Sequence, residues 1–442
     1  MSYKEIEKKL EDFGFETYLV GGALRDKLLG KNIHDIDLAT RARPSDIMRI
    51  FRDCKLIDIG KKFGTIKVIY KSKEYEITTF RAESSYKDKR HPDEISFSNT
   101  IEEDLKRRDF TINAMAERKG EIIDLFGGKK DLQNKLIRAV GDPYERIEED
   151  YLRALRAIRF AIVLDFSIEK SLKDAIKDKA FHIKEISSER IRDEIDKILL
   201  ANKPSRGIRL LDELNLLVYI FPEIEKMKGF NQHSSHHNLD LFDHTMKVLD
   251  KTPKNLKTRM AALFHDTGKI NSFFLDEKGE GRFFGHQKIS KEIIKKRLKI
   301  LKYPKKFIEN TSILVERHMD NTNTYTKKSV RKLLKKVGDE NIYDLFDLQR
   351  ADVLSTVHNN TENISNAKKL LEEILNSNTP RKKEQIDFSG YDLIEMGFKE
   401  GRELGIILNE VYNLVMDEKL ENEKNEIIKY IKNKYNNLDR NY

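Results

Sequence analysis

Two aspartates one residue apart, Asp35 and Asp37 in "DID", follow closely on a glycine pair, Gly21-Gly22 in "YLVGGALRD". Residues i and i+2 of a strand share a face, so these two carboxylates can grip divalent cations together. Hard cations such as Mg²⁺ take oxygen ligands and keep positions open for substrate phosphates. Two such ions stabilise both the attacking and the leaving oxygen. The glycines read as a strand-to-helix turn, with the helix beginning near Ala23. Free backbone N–H groups at a helix start, and a chain without side chains, favour a bound phosphate. A glycine pair or a D-x-D alone is common in surface turns. Together they point to a nucleoside triphosphate and its metals.

The stretch "EEDYLRALRAIRFA" carries Asp150, Arg153, Arg156 and Arg159 at intervals of three. On one helix these four are neighbours in pairs. A salt-bridged i, i+3 face uses the same spacing, but three arginines against one acid leave positive charge uncompensated. An aspartate beside an arginine can tell bases apart. Cytosine and adenine each show an amine beside a ring nitrogen acceptor, so the acid accepts and the guanidinium donates. Uracil and guanine show the reverse, and each unpaired buried group costs about 1–3 kcal/mol. Upstream, "LKRRDFTINAMA" supplies Arg107, Arg108 and Asp109, and an arginine fork suits phosphate.

Eight of the eleven histidines fall between positions 231 and 360. His244, His265-Asp266 and Asp352 could meet in a helical bundle as mixed nitrogen and oxygen metal ligands. Any one of them alone is more commonly a core residue, and the donor types do not select one metal.

These residues need elements to hold them. "ETYLV", "IDLAT", "TIKVIY" and "YEITTF" read as strands, and "MSYKEIEKKLEDFGFE" as an amphipathic helix stopped at Gly14. Beyond residue 143 the apolar spacing is helical. "SSERIRDEIDKILL" shows a possible N-cap at Ser188 and a stripe of Ile191, Ile195, Ile198 and Leu199. The class is α+β. A small mixed-sheet head over 1–142 precedes a helical neck and body over 143–230, a histidine-rich helical insert over 231–365 and a helical tail over 366–442.

The chain has 442 residues, 36% charged and 38% hydrophobic, with a net charge of +9. That balance favours a polyanionic partner, although codon bias toward Lys, Ile and Asn gives a similar count. The single cysteine, Cys54, excludes an internal disulfide and a Cys-based zinc cluster, and fits the cytoplasm. No apolar run is long enough to span a bilayer, and the N-terminus lacks the core of a signal peptide.

In order along the first 200 residues, "LVGGALRD", "DID", "RRDFTINA", "IIDLFGG", "EEDYLRALRAIRF" and "SSERIRDEIDKIL" resemble the class II CCA-adding enzymes and the related bacterial poly(A) polymerases. The resemblance implies contacts from Gly22 and Arg25 to the triphosphate, Mg²⁺ on Asp35 and Asp37, and Arg108 on the nucleotide. Asp150 and Arg153 would be the base-reading pair, completed by Arg156 and Arg159. Glu76 and Asp109 are both candidates for a third carboxylate. "DLFGG" departs from the family, which often has Pro in place of Leu125. The polar stretch "FRAESSYKDKRHPDEISF" looks like the family's flexible loop that accompanies switching from C to A addition. The ordered histidines resemble the HD phosphohydrolase superfamily, with His244, His265, Asp266 and Asp352 as ligands and His286 and His318 matching the extra histidines of two-metal members. The implied activity is addition of C, C and A from CTP and ATP to tRNA, with a second, metal-dependent phosphohydrolase activity. An A-adding enzyme, a poly(A) polymerase, or an HD hydrolase with a silent RNA-binding half are the alternatives.

Overall fold

The computed structural model describes residues 3–33, 35–60, 64–82, 97–233, 239–320, 324–357, 359–376, 385–416 and 419–435. Most of the polar stretch between Phe80 and Phe97 lies outside them. Seven strands form one sheet: Thr17–Val20 (β1), Ile36–Thr40 (β2), Lys55–Gly60 (β3), Thr65–Tyr70 (β4), Lys73–Thr79 (β5), Ala116–Arg118 (β6) and Glu121–Ile123 (β7). Their order is β3-β4-β5-β2-β1-β6-β7. β2 and β5 run parallel, whereas the other neighbouring pairs are antiparallel. The sheet is therefore mixed, as the sequence suggests, and the four expected strands are present. β6 and β7 have three residues each, too few to register as alternation.

Alternation explains the central hairpin. Ile66 and Val68 of β4 and Tyr75 and Ile77 of β5 are buried, and each such side chain contributes roughly 1.5–3 kcal/mol. The N-terminal helix Tyr3–Glu11 packs Ile6 and Leu10 inward, and Gly14 beyond it adopts φ +82°. The helix after β1 spans Gly21–Leu28, so it starts two residues earlier than expected. Val20 is still extended at φ −137°, and Gly21 at φ +62° turns the chain in one step.

The rest of the described chain is mainly helical. Two points of the sequence reading need correction. Asp35 lies just before β2 rather than inside it. Asp150 is not on the arginine-bearing helix. Pro143–Glu149 ends at Asp150, which is extended at φ −154° and ψ 102°, and the next helix is Leu152–Leu164. The cause is local: Asp150 Oδ1 accepts from the Leu152 amide at 3.1 Å, the contact by which an acid opens a helix.

The Ser188–Leu199 helix packs on Leu152–Leu164 through its apolar stripe, with Ser187 rather than Ser188 at the N-cap position. Its polar side meets the histidine-rich region. The Tyr303 hydroxyl donates to Asp196, Arg192 Nη1 donates to the Lys302 carbonyl at 2.7 Å, and Lys302 pairs with Glu189 at 2.8 Å. One hydrophobic core runs from the sheet through these helices to Ile374. The position expected as a boundary, 365, falls inside the Glu362–Asn376 helix, whose Ile364, Ala367, Leu371 and Ile374 belong to that core. Residues from Ile386 to Ile431 form a separate cluster.

Candidate active site

β1 delivers the chain to Gly21, and the turn is tight against the site. A Cβ on Gly21 would stand 3.0 Å from Arg108 Nη1 and 3.6 Å from Asp37 Oδ2. The parallel register sets Asp37 of β2 directly opposite Glu76 of β5, and opposed residues share a face. Asp35 is exposed beside them. Burial pushes Asp37 up to about 6, the Glu76 charge adds to this, and Asp35 contributes, against the opposing pull of Arg108. A carboxylate raised by burial and by neighbouring acids in a cleft marks a place where a cation would relieve it. Asp109, the other candidate for a third carboxylate, is engaged elsewhere. It is buried, bonded to Arg156 Nε at 2.7 Å, and accepts from the Phe110 amide and Asn113. Glu76 is thus the carboxylate that the sheet brings to the pair.

A cavity of about 660 Å³ opens beside Asp37. Gly22, Arg25, Arg108, Asp150, Arg153, Arg156 and Arg159 all line it, so the head and the arginine helix contribute to one site. Arg81, Arg107 and Arg190 line it too. Sequence spacing did not single out Arg81 or Arg190, which come from distant elements, although Arg190 lies within the motif "SSERIRDEIDKIL".

The arginines are held by acids and carbonyls. Arg108 donates to Asp104 at 2.9 Å, and Arg25 Nη1 to Asn113 Oδ1 at 2.8 Å. Arg153 reaches the Arg146 carbonyl at 2.8 Å and pairs with Glu149. Arg159 faces Glu194 at 3.0 Å without hydrogen-bond alignment. Arg25, Arg156 and Arg159 surround the Phe160 ring at 5.1, 5.5 and 4.2 Å, within cation–π range. Burial would raise Asp104 and Asp109. The guanidiniums of Arg108 and Arg107 for the first, and of Arg156 and Arg153 for the second, outweigh it and hold each at about 2. Asp150 Oδ2 accepts from Arg190 Nη2 at 2.6 Å. Asp150 and Arg153 therefore both face the cavity and both already have protein partners.

A second constellation lies among the helices Leu241–Lys251, Leu256–Phe264, His286–Ile300, Lys305–Arg317 and Ile342–Val353. His244, His265 and Asp266 form one group of donors within 4.8 Å of each other, and Asp266, His286 and His318 form another. Asp266 belongs to both. His244 Nε2 lies 3.0 Å from Asp352 Oδ1, which brings in the sixth expected ligand. The Nδ1 atoms of His265, His286 and His318 meet the carbonyls of Ala262, Phe283 and Val315 at 2.7, 2.8 and 2.7 Å. That contact fixes the ring and turns Nε2 toward the centre. His265 Nε2 is buried and lies 3.2 Å from Asp266 Oδ2 without hydrogen-bond alignment, as two donors converging on one metal would. Burial alone would raise Asp266, but His265 and Lys269 hold it well below the usual range. Lys269 Nζ lies 2.7 Å from Asp266; the sequence reading passed over it. Gly268 permits the packing: a Cβ there would stand 2.3 Å from the His286 carbonyl oxygen. These donors fit a divalent metal centre.

Three family models match the chain: "Poly A polymerase head domain" over residues 17–138, "Probable RNA and SrmB- binding site of polymerase A" over 165–228, and "HD domain" over 235–373. Nucleotidyltransferase and HD domains generally depend on metals. The chain is 33% identical to a CCA-adding enzyme of Lactobacillus helveticus, across 96% of this chain and 95% of that protein. It is 44% identical to a CCA-adding enzyme of Pediococcus pentosaceus over 262 residues, 58% of this chain and 63% of the relative. Among solved structures, the CCA-adding enzyme of Bacillus stearothermophilus in complex with CTP superposes with a TM-score of 0.74 at 27% identity, covering 100% of both chains. No described helix is long and apolar enough to cross a membrane. By its near-full-length match and its head, RNA-binding and HD segments, the chain belongs to the CCA-adding enzyme family, in a form that carries an HD domain.

Proposed function

We propose that this protein adds C, C and A to the 3′ end of tRNA in the cytoplasm, using CTP and ATP. The observation that carries this reading is the Asp37–Glu76 pairing beside Gly21, at the edge of an arginine-lined cavity. The tRNA 3′-hydroxyl oxygen bonds to the α-phosphorus and gives up its proton to water, the bond to the bridging oxygen breaks, and pyrophosphate leaves. Asp35, Asp37 and Glu76 would hold Mg²⁺. When bound, it would supply charge for the attacking and leaving oxygens. Gly22 and Arg25 bind the triphosphate, and Arg108 holds the nucleotide, so positioning and charge do most of the work. Asp150 accepts the amine of cytosine or adenine, Arg153 donates to the ring nitrogen, and Arg156 and Arg159 complete the pocket. The head (1–142), the neck and body (143–230), the HD region (from 231 to the end of the Glu362–Asn376 helix) and the tail beyond it divide catalysis, nucleotide reading, hydrolysis and tRNA binding among them.

The test is incubation with tRNA lacking its CCA end, with CTP or ATP supplied separately. Incorporation of CTP is expected; its failure leaves an A-adding enzyme or a poly(A) polymerase. The names of the relatives favour full CCA addition.

A second activity is favoured by the shared Asp266. We propose that the HD centre hydrolyses phosphate esters with divalent metal held by His244, His265, Asp266 and Asp352, and by His286 and His318 at a second position. Metal supplementation followed by assay of a chromogenic phosphodiester tests it. No turnover with any of several divalent metals would leave the centre a structural one.

A further inference from the structure

The carboxylate proposed to read the base does not stand alone. Asp150 sits in the extended break between two helices, with only the first residue of the second holding one of its oxygens. Its Oδ1 accepts from the Leu152 amide at 3.1 Å, and its Oδ2 from Arg190 Nη2 at 2.6 Å. Arg190 arrives from the Ser188–Leu199 helix, 40 residues further along, and lines the same cavity. One turn on, Glu194 of that helix faces Arg159 at 3.0 Å. The helix thus sets an opposite charge against the first and the last member of the Asp150-to-Arg159 series.

Discrimination by one carboxylate depends on its staying in place. The amine of cytosine or adenine must find an oxygen, and the carbonyl of uracil or guanine must meet the same oxygen and be refused. A carboxylate free to rotate escapes the second encounter, and selectivity falls. A charge-assisted bond from a guanidinium is short and strong enough to remove that freedom. An ionised carboxylate oxygen has two acceptor sites, so Oδ2 keeps one for the base while Arg190 occupies the other. We propose that Arg190 is a positioning residue for nucleotide selection: it fixes the Asp150 carboxylate so that UTP and GTP are rejected. This rests on the base-reading role given to Asp150 above.

The test compares kcat/KM for CTP and UTP on tRNA lacking its CCA end. Arg190→Gln removes the charge at similar length, whereas Arg190→Lys keeps the charge without the fork. The UTP-to-CTP ratio is expected to rise roughly tenfold in the Gln variant, with the Lys variant between it and the unaltered protein. A structural role alone would lower both substrates together and leave the ratio unchanged, which overturns the proposal. Should the Gln variant fail to fold by thermal melting, the ratio in the Lys variant decides. Asp150→Asn runs in parallel. If its ratio is unchanged as well, the base-reading role itself fails; if it moves while Arg190→Gln does not, only the assignment of Arg190 fails.

Discussion

The two candidate sites solve opposite problems. The cavity beside the sheet is open, about 660 Å³, and its cations come in ion pairs drawn from the head and the helices. The histidine centre is more enclosed: His244, His265, Asp266, His286 and His318 are nearly inaccessible, and Asp352 is partly exposed. A wide pocket with long guanidiniums suits a large anionic substrate that must enter, be read and be extended. An enclosed cluster of short, carbonyl-anchored imidazoles suits ions held in fixed positions. The first keeps its charges balanced by exchangeable partners. The second converges its donors on common points and shares one carboxylate between two groups.

This contrast breaks most sharply at the carboxylates. Asp37→Ala is expected to lower CTP and ATP addition by on the order of 10³-fold or more, while phosphodiester hydrolysis at the HD centre continues. If addition survives, the metal assignment in the head is wrong. Asp266→Ala is the mirror experiment. Metal analysis is expected to show loss from both donor groups and hydrolysis to disappear, with CTP addition retained. Loss of only one equivalent would mean that the two groups do not depend on a shared ligand.

Acid sharpens the comparison on the side of the ion pairs. The folded-state values of Asp104 and Asp109 are depressed to about 2. Their stabilisation is therefore fully present above the unfolded carboxylate range near 4 and is lost as pH falls toward 2. A shift of that size corresponds to roughly 2 kcal/mol for each group at neutral pH. Urea midpoints measured from pH 6 down to pH 3 are expected to fall, and less steeply in Asp109→Asn. An equal slope in that variant would deny the pair its role. The smallest effect belongs to the turn. Gly21→Ala places a side chain at φ +62° and 3.0 Å from Arg108 Nη1. It is expected to cost roughly 1–3 kcal/mol and to raise KM for CTP more than it lowers kcat. An unchanged KM would separate the turn from the nucleotide.

The residue types of both sites were legible because their chemistry is local. Gly21-Gly22, the D-x-D and the arginine series announce a phosphate site by spacing, and His265-Asp266 announces a metal ligand pair. The partners were not legible, because the fold supplies them from afar. Glu76 becomes a ligand candidate only through a parallel register between β2 and β5. Asp109 looked equivalent in the sequence, and it is the packing of Arg156 that removes it. Asp150 left the helix because it caps the next one, a preference that the three-residue interval of the arginines masks. Arg190 lies inside the motif "SSERIRDEIDKIL" and Lys269 shortly after His265-Asp266, yet spacing gives neither a role; each matters by what lies opposite.

The parallel pairing of β2 with β5 has one more consequence. The side chains of a strand alternate, so sliding β5 by a single position would carry Glu76 through the sheet and offer its neighbour instead. Such a slip would also turn Tyr75 and Ile77 out of the core, so the packing that buries them also holds Glu76 on the side of the cation clasp. The short hairpin joining β4 to β5, with Lys71 and Ser72 held at positive φ, sets Glu76 opposite Lys67 on one side, while the parallel pairing sets it opposite Asp37 on the other.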